Sequence, residues 1–323
     1  MDFAAIPPFH MEDGFVGAIQ YRESSLFLDE NATQTQKLSR AKLIAHETSH
    51  MWFGDLVTMK WFNDVWMKEV FANFMADKIV NPVYPEINHR LSFMMAHYPS
   101  AYSEDRTKGT NPIRQKLDNL KDAGSLYGRI IYNKAPIMMR QLEYLLGEEA
   151  FQKGIQEYIK TYQNSNADWT ELVSILDKNS SEDIKKWSEV WVNSSGRPIF
   201  TQEIKYDEKG NVMKFILHQK AEDGSDKIWT QSFNIQLIDK KGNSKEVEIK
   251  NMGKTFDVLP FVKDFKPVQV LYNTNGFGYG VFPIDNNKID AYKNSKDEVS
   301  RGYPFINLYE NMLNWKNYTF RNL

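Results

Sequence analysis

The chain has 323 residues, 41% of them apolar and 25% charged, with 40 basic against 42 acidic side chains and a formal charge of -2 at pH 7. So even a balance gives no electrostatic reason to bind nucleic acid or an anionic membrane, and no apolar run approaches the roughly 18 residues of a membrane span. There is no cysteine, which excludes disulfides, thiolate chemistry and cysteine metal sites, and the length suggests two domains rather than one core.

Residues 1 to about 30 are predicted to be extended, because "VGAIQYRESSLFL" is rich in β-branched and aromatic residues and has no helix start signal. The opening "MDFAAIPPF" shows neither the basic start nor the long apolar stretch of a signal peptide, and entry in mid-sheet suggests a chain cut from something longer. From Thr35 the pattern turns helical. Leu38, Ala41, Ala45, Thr48 and Trp52 fall on one stripe, with Gly54 as the stop. A second helix is predicted from Val65 to Val80, closed by Asn81-Pro82. It is apolar around much of its circumference and so reads as buried. Helical patterns follow at about 86–97, 134–146, 148–162, 168–178 and 182–192.

After "NSSGRP" at 193–198 the period changes from helical to alternating. "FTQEIKY" and "NVMKFILHQ" flank "DEKG"; "IWTQSFNIQLI" and "KEVEIK" flank "DKKGNS"; "VQVLYN" and "GYGVFPI" flank a glycine loop. Roughly six or seven short strands predict a small β-sandwich over 199–285. The tail from 286 is polar until "YPFINLYENMLNW", where Pro304 suits the first turn of a helix. The expected fold is α+β and multidomain.

The chemistry is concentrated in "AHETSHMWFGD", residues 45–55. Helix residues four apart differ by about 40° in azimuth, so His46 and His50 share a face and can meet one ion. Glu47 lies beside that face, placed to hold a water without ligating the ion, which is the mechanical sense of the H-E-x-x-H pattern. Two helix histidines donating to backbone or water would read the same. Glu69, nineteen positions after His50, stands in the middle of the apolar helix. A buried carboxylate without a partner is costly, and a cation at His46 and His50 would supply one. Two neutral imidazoles and a carboxylate with a fourth position open form a catalytic zinc arrangement rather than a closed structural one. Asn73, one turn beyond Glu69, is placed to hydrogen-bond a ligand, although a helix asparagine is more often exposed or bonded to backbone. His89 and His97, eight apart in "HRLSFMMAHY", read as part of a helix with a methionine core stripe rather than as a second metal site.

"HETSH", then eighteen residues, then Glu69 resembles the gluzincin zinc aminopeptidase family, which includes aminopeptidase N and leukotriene hydrolase. "WFGDLVTMKWFNDVWMKEVFANFM", "VGAIQYRE", "IYNKAPIMMRQLEYLLGEEAF" and "NTNGFGYGVF" carry the likeness along essentially the whole chain. The resemblance implies a mainly helical thermolysin-like catalytic domain over 1–198, truncated at its N-terminal side, then the β-sandwich. Residues 286–323 would be a linker and the first helix of a truncated C-terminal helical domain. It further implies one Zn2+ per chain on His46, His50 and Glu69, with Glu47 as general base. Tyr132, in "YNKA", matches the residue that stabilises the tetrahedral intermediate. Peptides with a free N-terminus would be the substrates, held by Glu12 and Met11 of "FHMED".

Two departures from the family bear on function. Phe9 stands where the exopeptidase signature has glycine, which crowds the strand on which a peptide would lie. Lys68-Glu69-Val70 replaces asparagine-glutamate-glycine. Two other readings compete: a thermolysin-like zinc endopeptidase, which would cleave blocked peptides equally well, and a catalytically incomplete peptide-binding module.

Overall fold

Two helices of the first unit start where a side chain answers the first free backbone N–H groups. The computed structural model describes residues 2–6, 13–262, 265–284, 292 and 295–314. Its first strands are β1 (Asp2–Ile6), β2 (Asp13–Phe15) and β3 (Ala18–Arg22), followed by the short helix α1 (Glu23–Leu26) and by α2 (Gln34–Ser49). After β4 (Val57–Thr58) come α3 (Val65–Val80), α4 (His89–Asp105), α5 (Ala135–Leu146) and α6 (Glu148–Tyr162). Then follow β5 (Ser165–Asn166), α7 (Trp169–Lys178) and α8 (Ile184–Trp191). The later strands are β6 (Pro198–Tyr206), β7 (Val212–Ala221), β8 (Gln231–Asp239), β9 (Ser244–Met252), β10 (Thr255–Asp257) and β11 (Pro267–Tyr272), and α9 (Glu298–Asn314) closes the described chain. The architecture is mixed α and β. Two compact units divide it: Met1–His89, Ile113–Met139 and Leu146–Ser188 form one, and Arg90–Pro112, Arg140–Leu145 and Glu189–Leu323 the other.

In the first unit β3 is central, parallel to β1 and antiparallel to β2. Thr33 opens α2 with a capping box: its hydroxyl accepts from Gln36 N, and the Gln36 side chain accepts from Thr33 N. Asp168 and Glu171 do the same for α7. α2 packs on α3 through Leu38, Ala45, Ala76 and Val80, and Lys42 pairs with Asp77 at 2.6 Å. α3 is buried around most of its circumference, as its composition predicts. Trp66 packs edge-on against Trp169 with ring centres 4.9 Å apart, and Phe71 stacks on Phe53 at 4.7 Å.

Several local expectations are corrected here. Glu23–Leu26 is helical, not extended, with Glu23 in its first turn, where a negative charge suits the positive end of the helix. α2 ends at Ser49 with His50 as its C-cap and does not run on to Gly54. Wide turns take over, with Asp55 N bonded to His50 O and Leu56 N to Met51 O. Trp52 therefore leaves the predicted stripe and is half-exposed at 49%. α4 continues to Asp105, past Pro99, which cannot donate within a helix. Tertiary anchors outweigh that loss: Tyr98 donates to Gly276 O at 2.7 Å and Tyr102 to Gly280 O at 3.0 Å.

The second unit holds two three-stranded antiparallel sheets, ordered β10-β7-β6 and β11-β8-β9. Phe200 of one sheet meets Phe233 of the other at 5.5 Å and stacks on Phe282 at 4.4 Å. The β6–β7 and β8–β9 hairpins use the same turn chemistry. Asp207 accepts from Lys209 N and Asn211 N, and Asp239 from Lys241 N and Asn243 N, while Gly210 and Gly242 adopt positive φ. "GYGVFPI" is not a strand; only Val281 bridges, to Ile199. Gly280 explains why. Its φ is +137°, and a Cβ there would lie 2.6 Å from Pro198 O. Pro304 lies inside α9 rather than in its first turn, because the helix starts earlier, where Asp297 accepts from Ser300 N at 2.8 Å.

Candidate metal centre

The site forms where α2 ends against the middle of α3. His46 and His50 lie one turn apart, with ring centres 4.7 Å apart, and their Nε2 atoms face each other at 3.1 Å. Glu69 Oε2 lies 3.7 Å from His46 Nε2. One donor atom from each of the three residues falls within 4.8 Å of the others.

The protons decide what this cluster can hold. His50 Nδ1 lies 3.1 Å from the Phe53 carbonyl, which can only accept, so that nitrogen carries the proton. Asn73 Oδ1 accepts from His46 Nδ1 at 3.0 Å in the same way. In the neutral tautomers that these bonds select, each Nε2 is an acceptor facing the other, with a carboxylate oxygen beside them. Burial, and then the neighbouring His46, hold His50 neutral, with its pKa lowered to about 4. Burial opposes ionisation of Glu69, but its contact with His46 and the charge of Lys68 more than offset that and lower its pKa to about 2. Two facing imidazole nitrogens and an ionised carboxylate fit a cation. Two ligands of one tetrahedral zinc, each about 2.0–2.1 Å from it, stand about 3.3 Å apart. The observed 3.1 and 3.7 Å bracket that spacing.

Glu47 is buried beside the cluster. Tyr132 sits on the π-helical turn Ile130–Lys134 that leads into α5, 36% exposed, and its hydroxyl donates to Glu69 Oε2 at a long 3.5 Å. Burial, and next the charge of Glu69, push its pKa upward, so the phenol keeps its proton. Thus His46, His50, Glu69 and Tyr132, all singled out in the sequence, come together, Glu47 is buried next to His46 in the chain, and Asn73 bonds His46 rather than standing exposed. Met11 and Glu12 lie outside the described residues. His89 and His97 form no metal cluster among the described residues; His89 Nε2 meets Tyr84 O, and His97 packs on Phe93.

Three features escape a reading by spacing alone. The carbonyl of Phe53 belongs to backbone and carries no sequence signal. Tyr21 is fully buried on β3, with a hydroxyl that finds no hydrogen-bond partner among the described residues; burial, and then Glu47, push its pKa upward. Lys68 touches Glu69, a contact that only its departure from the family pattern could have flagged.

A two-helix histidine–carboxylate cluster with a buried acid beside it is the donor set of a metallopeptidase. The chain belongs to peptidase family M1, whose domain matches residues 1–191. It is 30% identical over 269 residues to a probable aminopeptidase 2 of Sulfurisphaera tokodaii, covering 83% of this chain and 33% of that protein. It is also 30% identical over 301 residues to an aminopeptidase N of Streptomyces lividans, covering 89% and 35% respectively. With a puromycin-sensitive aminopeptidase of Caenorhabditis elegans it shares 32% identity over 247 residues, 75% of this chain and 26% of that one. The chain thus spans about a quarter to a third of the length of the curated relatives it matches.

Proposed function

We propose that this chain is the catalytic part of a zinc-dependent aminopeptidase that removes the N-terminal residue of peptides. In this reading 1–198 is a thermolysin-like catalytic domain, 199–285 a β-sandwich, and 286–323 a linker and the first helix of a C-terminal helical domain. The observation that carries the reading is the convergence of His46 Nε2, His50 Nε2 and a Glu69 oxygen within 4.8 Å of one another.

His46 Nε2, His50 Nε2 and Glu69 would hold one Zn2+, which supplies Lewis acidity for the scissile carbonyl and acidifies water toward neutrality. Glu47 accepts the proton of the attacking water and passes it to the departing amine. Tyr132, its proton retained, donates a hydrogen bond to the oxyanion of the former carbonyl. Asn73 and the Phe53 carbonyl keep both imidazoles in the tautomer whose Nε2 is free. Glu12, with Met11 beside it and help from Glu69, anchors the substrate's free ammonium and limits cleavage to the first residue. Substrates are peptides, with no role for nucleic acid; no described helix is long and apolar enough to cross a membrane.

The test is metal analysis together with a matched pair of substrates, leucine p-nitroanilide and its N-acetyl form. One zinc per chain and hydrolysis of the free-amine substrate alone are expected. Equal hydrolysis of both would favour the endopeptidase. Bound zinc without any hydrolysis would leave a peptide-binding module.

A further inference from the structure

Lys68 and Glu69 are neighbours on α3, where side chains one position apart point about 100° apart and do not normally meet. Here they meet: Lys68 Nζ lies 3.3 Å from Glu69 Oε1. The lysine stem reaches that position by lying over Gly54. A Cβ on Gly54 would stand 3.5 Å from Lys68 Cδ and 3.7 Å from its Cβ, so the glycine leaves the stem its room. The two oxygens of Glu69 are thereby divided. Oε1 faces the ammonium, while Oε2 faces the Tyr132 hydroxyl at 3.5 Å and His46 Nε2 at 3.7 Å.

We propose that Lys68 sets the metal affinity of the centre: its ammonium occupies the outer oxygen of Glu69, confines that carboxylate to one-oxygen ligation, and weakens the site's hold on a divalent cation. The proposal rests on the metal-site reading above. A carboxylate that shares its charge with an ammonium has less to give a second cation, and two like charges on opposite sides of one carboxylate repel. In the metal-free chain the same ammonium offsets the burial of Glu69, whose side chain is 9% exposed. Lys68 thus favours the empty centre over the loaded one. Asparagine, the family's residue at this position, carries no charge and would not do so.

The experiment measures zinc affinity of the full chain by competition with a chromophoric chelator, comparing Lys68→Met, Lys68→Gln, Lys68→Arg and Glu69→Gln, with folding checked by circular dichroism. Loss of the charge is expected to tighten zinc binding by about tenfold or more in Lys68→Met or Lys68→Gln, whichever folds, while Lys68→Arg stays near the native value. Cobalt loading adds a spectroscopic readout. The visible absorption of the native protein should weaken in the neutral variants as the second oxygen of Glu69 joins the ion. Unchanged or weaker zinc binding in a folded neutral variant overturns the proposal, as does an arginine variant that behaves like methionine. Glu69→Gln separates the two levels. If it binds zinc as well as the native chain, the metal-site reading itself fails; if it loses zinc while the neutral Lys68 variants change nothing, only the role of Lys68 fails.

Discussion

Around Arg197, in the second unit, buried charge is enclosed by several partners of opposite sign, whereas around His46, in the first, two imidazoles and a carboxylate converge on one point. Arg197 is fully buried and donates to Glu222 at 2.6 Å and to Glu310 at 2.7 Å, and Glu310 also takes Arg106 at 2.8 Å. Nearby, Asp105 accepts from Tyr279 and Thr110, each at 2.7 Å. Every acceptor named there has a donor. At the candidate metal centre two imidazole nitrogens and a carboxylate oxygen converge within 4.8 Å, and Tyr132 and Lys68 reach the carboxylate. A closed set of partners holds a fold together, because removing one partner strands the others in a medium that solvates charge poorly. Two imidazole nitrogens and a carboxylate gathered on one point suit a cation as their shared partner. The contrast separates structural burial from functional burial without reference to any relative.

The comparison can be tested first where the effect is largest. Glu47→Gln should keep zinc yet lower turnover of leucine p-nitroanilide toward the upper end of the roughly 10²- to 10⁴-fold expected for loss of a general base. Retained hydrolysis in that variant would remove Glu47 from the mechanism. On the closed side, Arg197→Met leaves Glu222 and Glu310 without their shared cation. It should cost about 3–5 kcal/mol in urea unfolding, and a loss under about 1 kcal/mol would show that the network is not closed as described.

The metal-site side also predicts a pH effect in the metal-free chain. The folded pKa of His50 is held near 4, below its ordinary 6.5, by burial first and His46 second. Between those values the unfolded chain binds the proton and the folded chain does not. Stability is therefore full above pH 6.5 and falls as the pH drops toward 4, by up to about 3 kcal/mol. Thermal melts of native and His50→Gln protein across that window check this, the variant being expected to show a shallower slope. The smallest effect belongs to Asn73→Ala, which leaves His46 in place but frees its tautomer. Zinc affinity should fall about 10- to 100-fold, and an unchanged affinity would return Asn73 to the role of an ordinary helix asparagine.

Much of the site was legible in the residues because it depends on local geometry. The interval between His46 and His50 fixes their shared face once a helix is granted. Glu69 could be singled out by contradiction, a carboxylate in the middle of an apolar helix. The two hairpins were legible for a similar reason, since "DEKGN" and "DKKGN" carry their own hydrogen-bond partners. The misreadings fall where long-range contacts override local preference. Pro99 would end a free helix, yet α4 runs through it because Tyr98 and Tyr102 are anchored 178 positions away. Trp52 fits an apolar stripe on paper, but turns after His50 carry it to the surface.

The sequence by itself determined the donor types, their spacing on two helices, and the turn chemistry of the hairpins, since helix and turn geometry act over a few residues. Tertiary structure alone decided which imidazole nitrogen is free, which oxygen of Glu69 faces Lys68, and how Arg197 reaches a glutamate 113 positions later. Those outcomes depend on partners that only a folded backbone brings within hydrogen-bond range, where charge is fixed by contact and no longer by order along the chain.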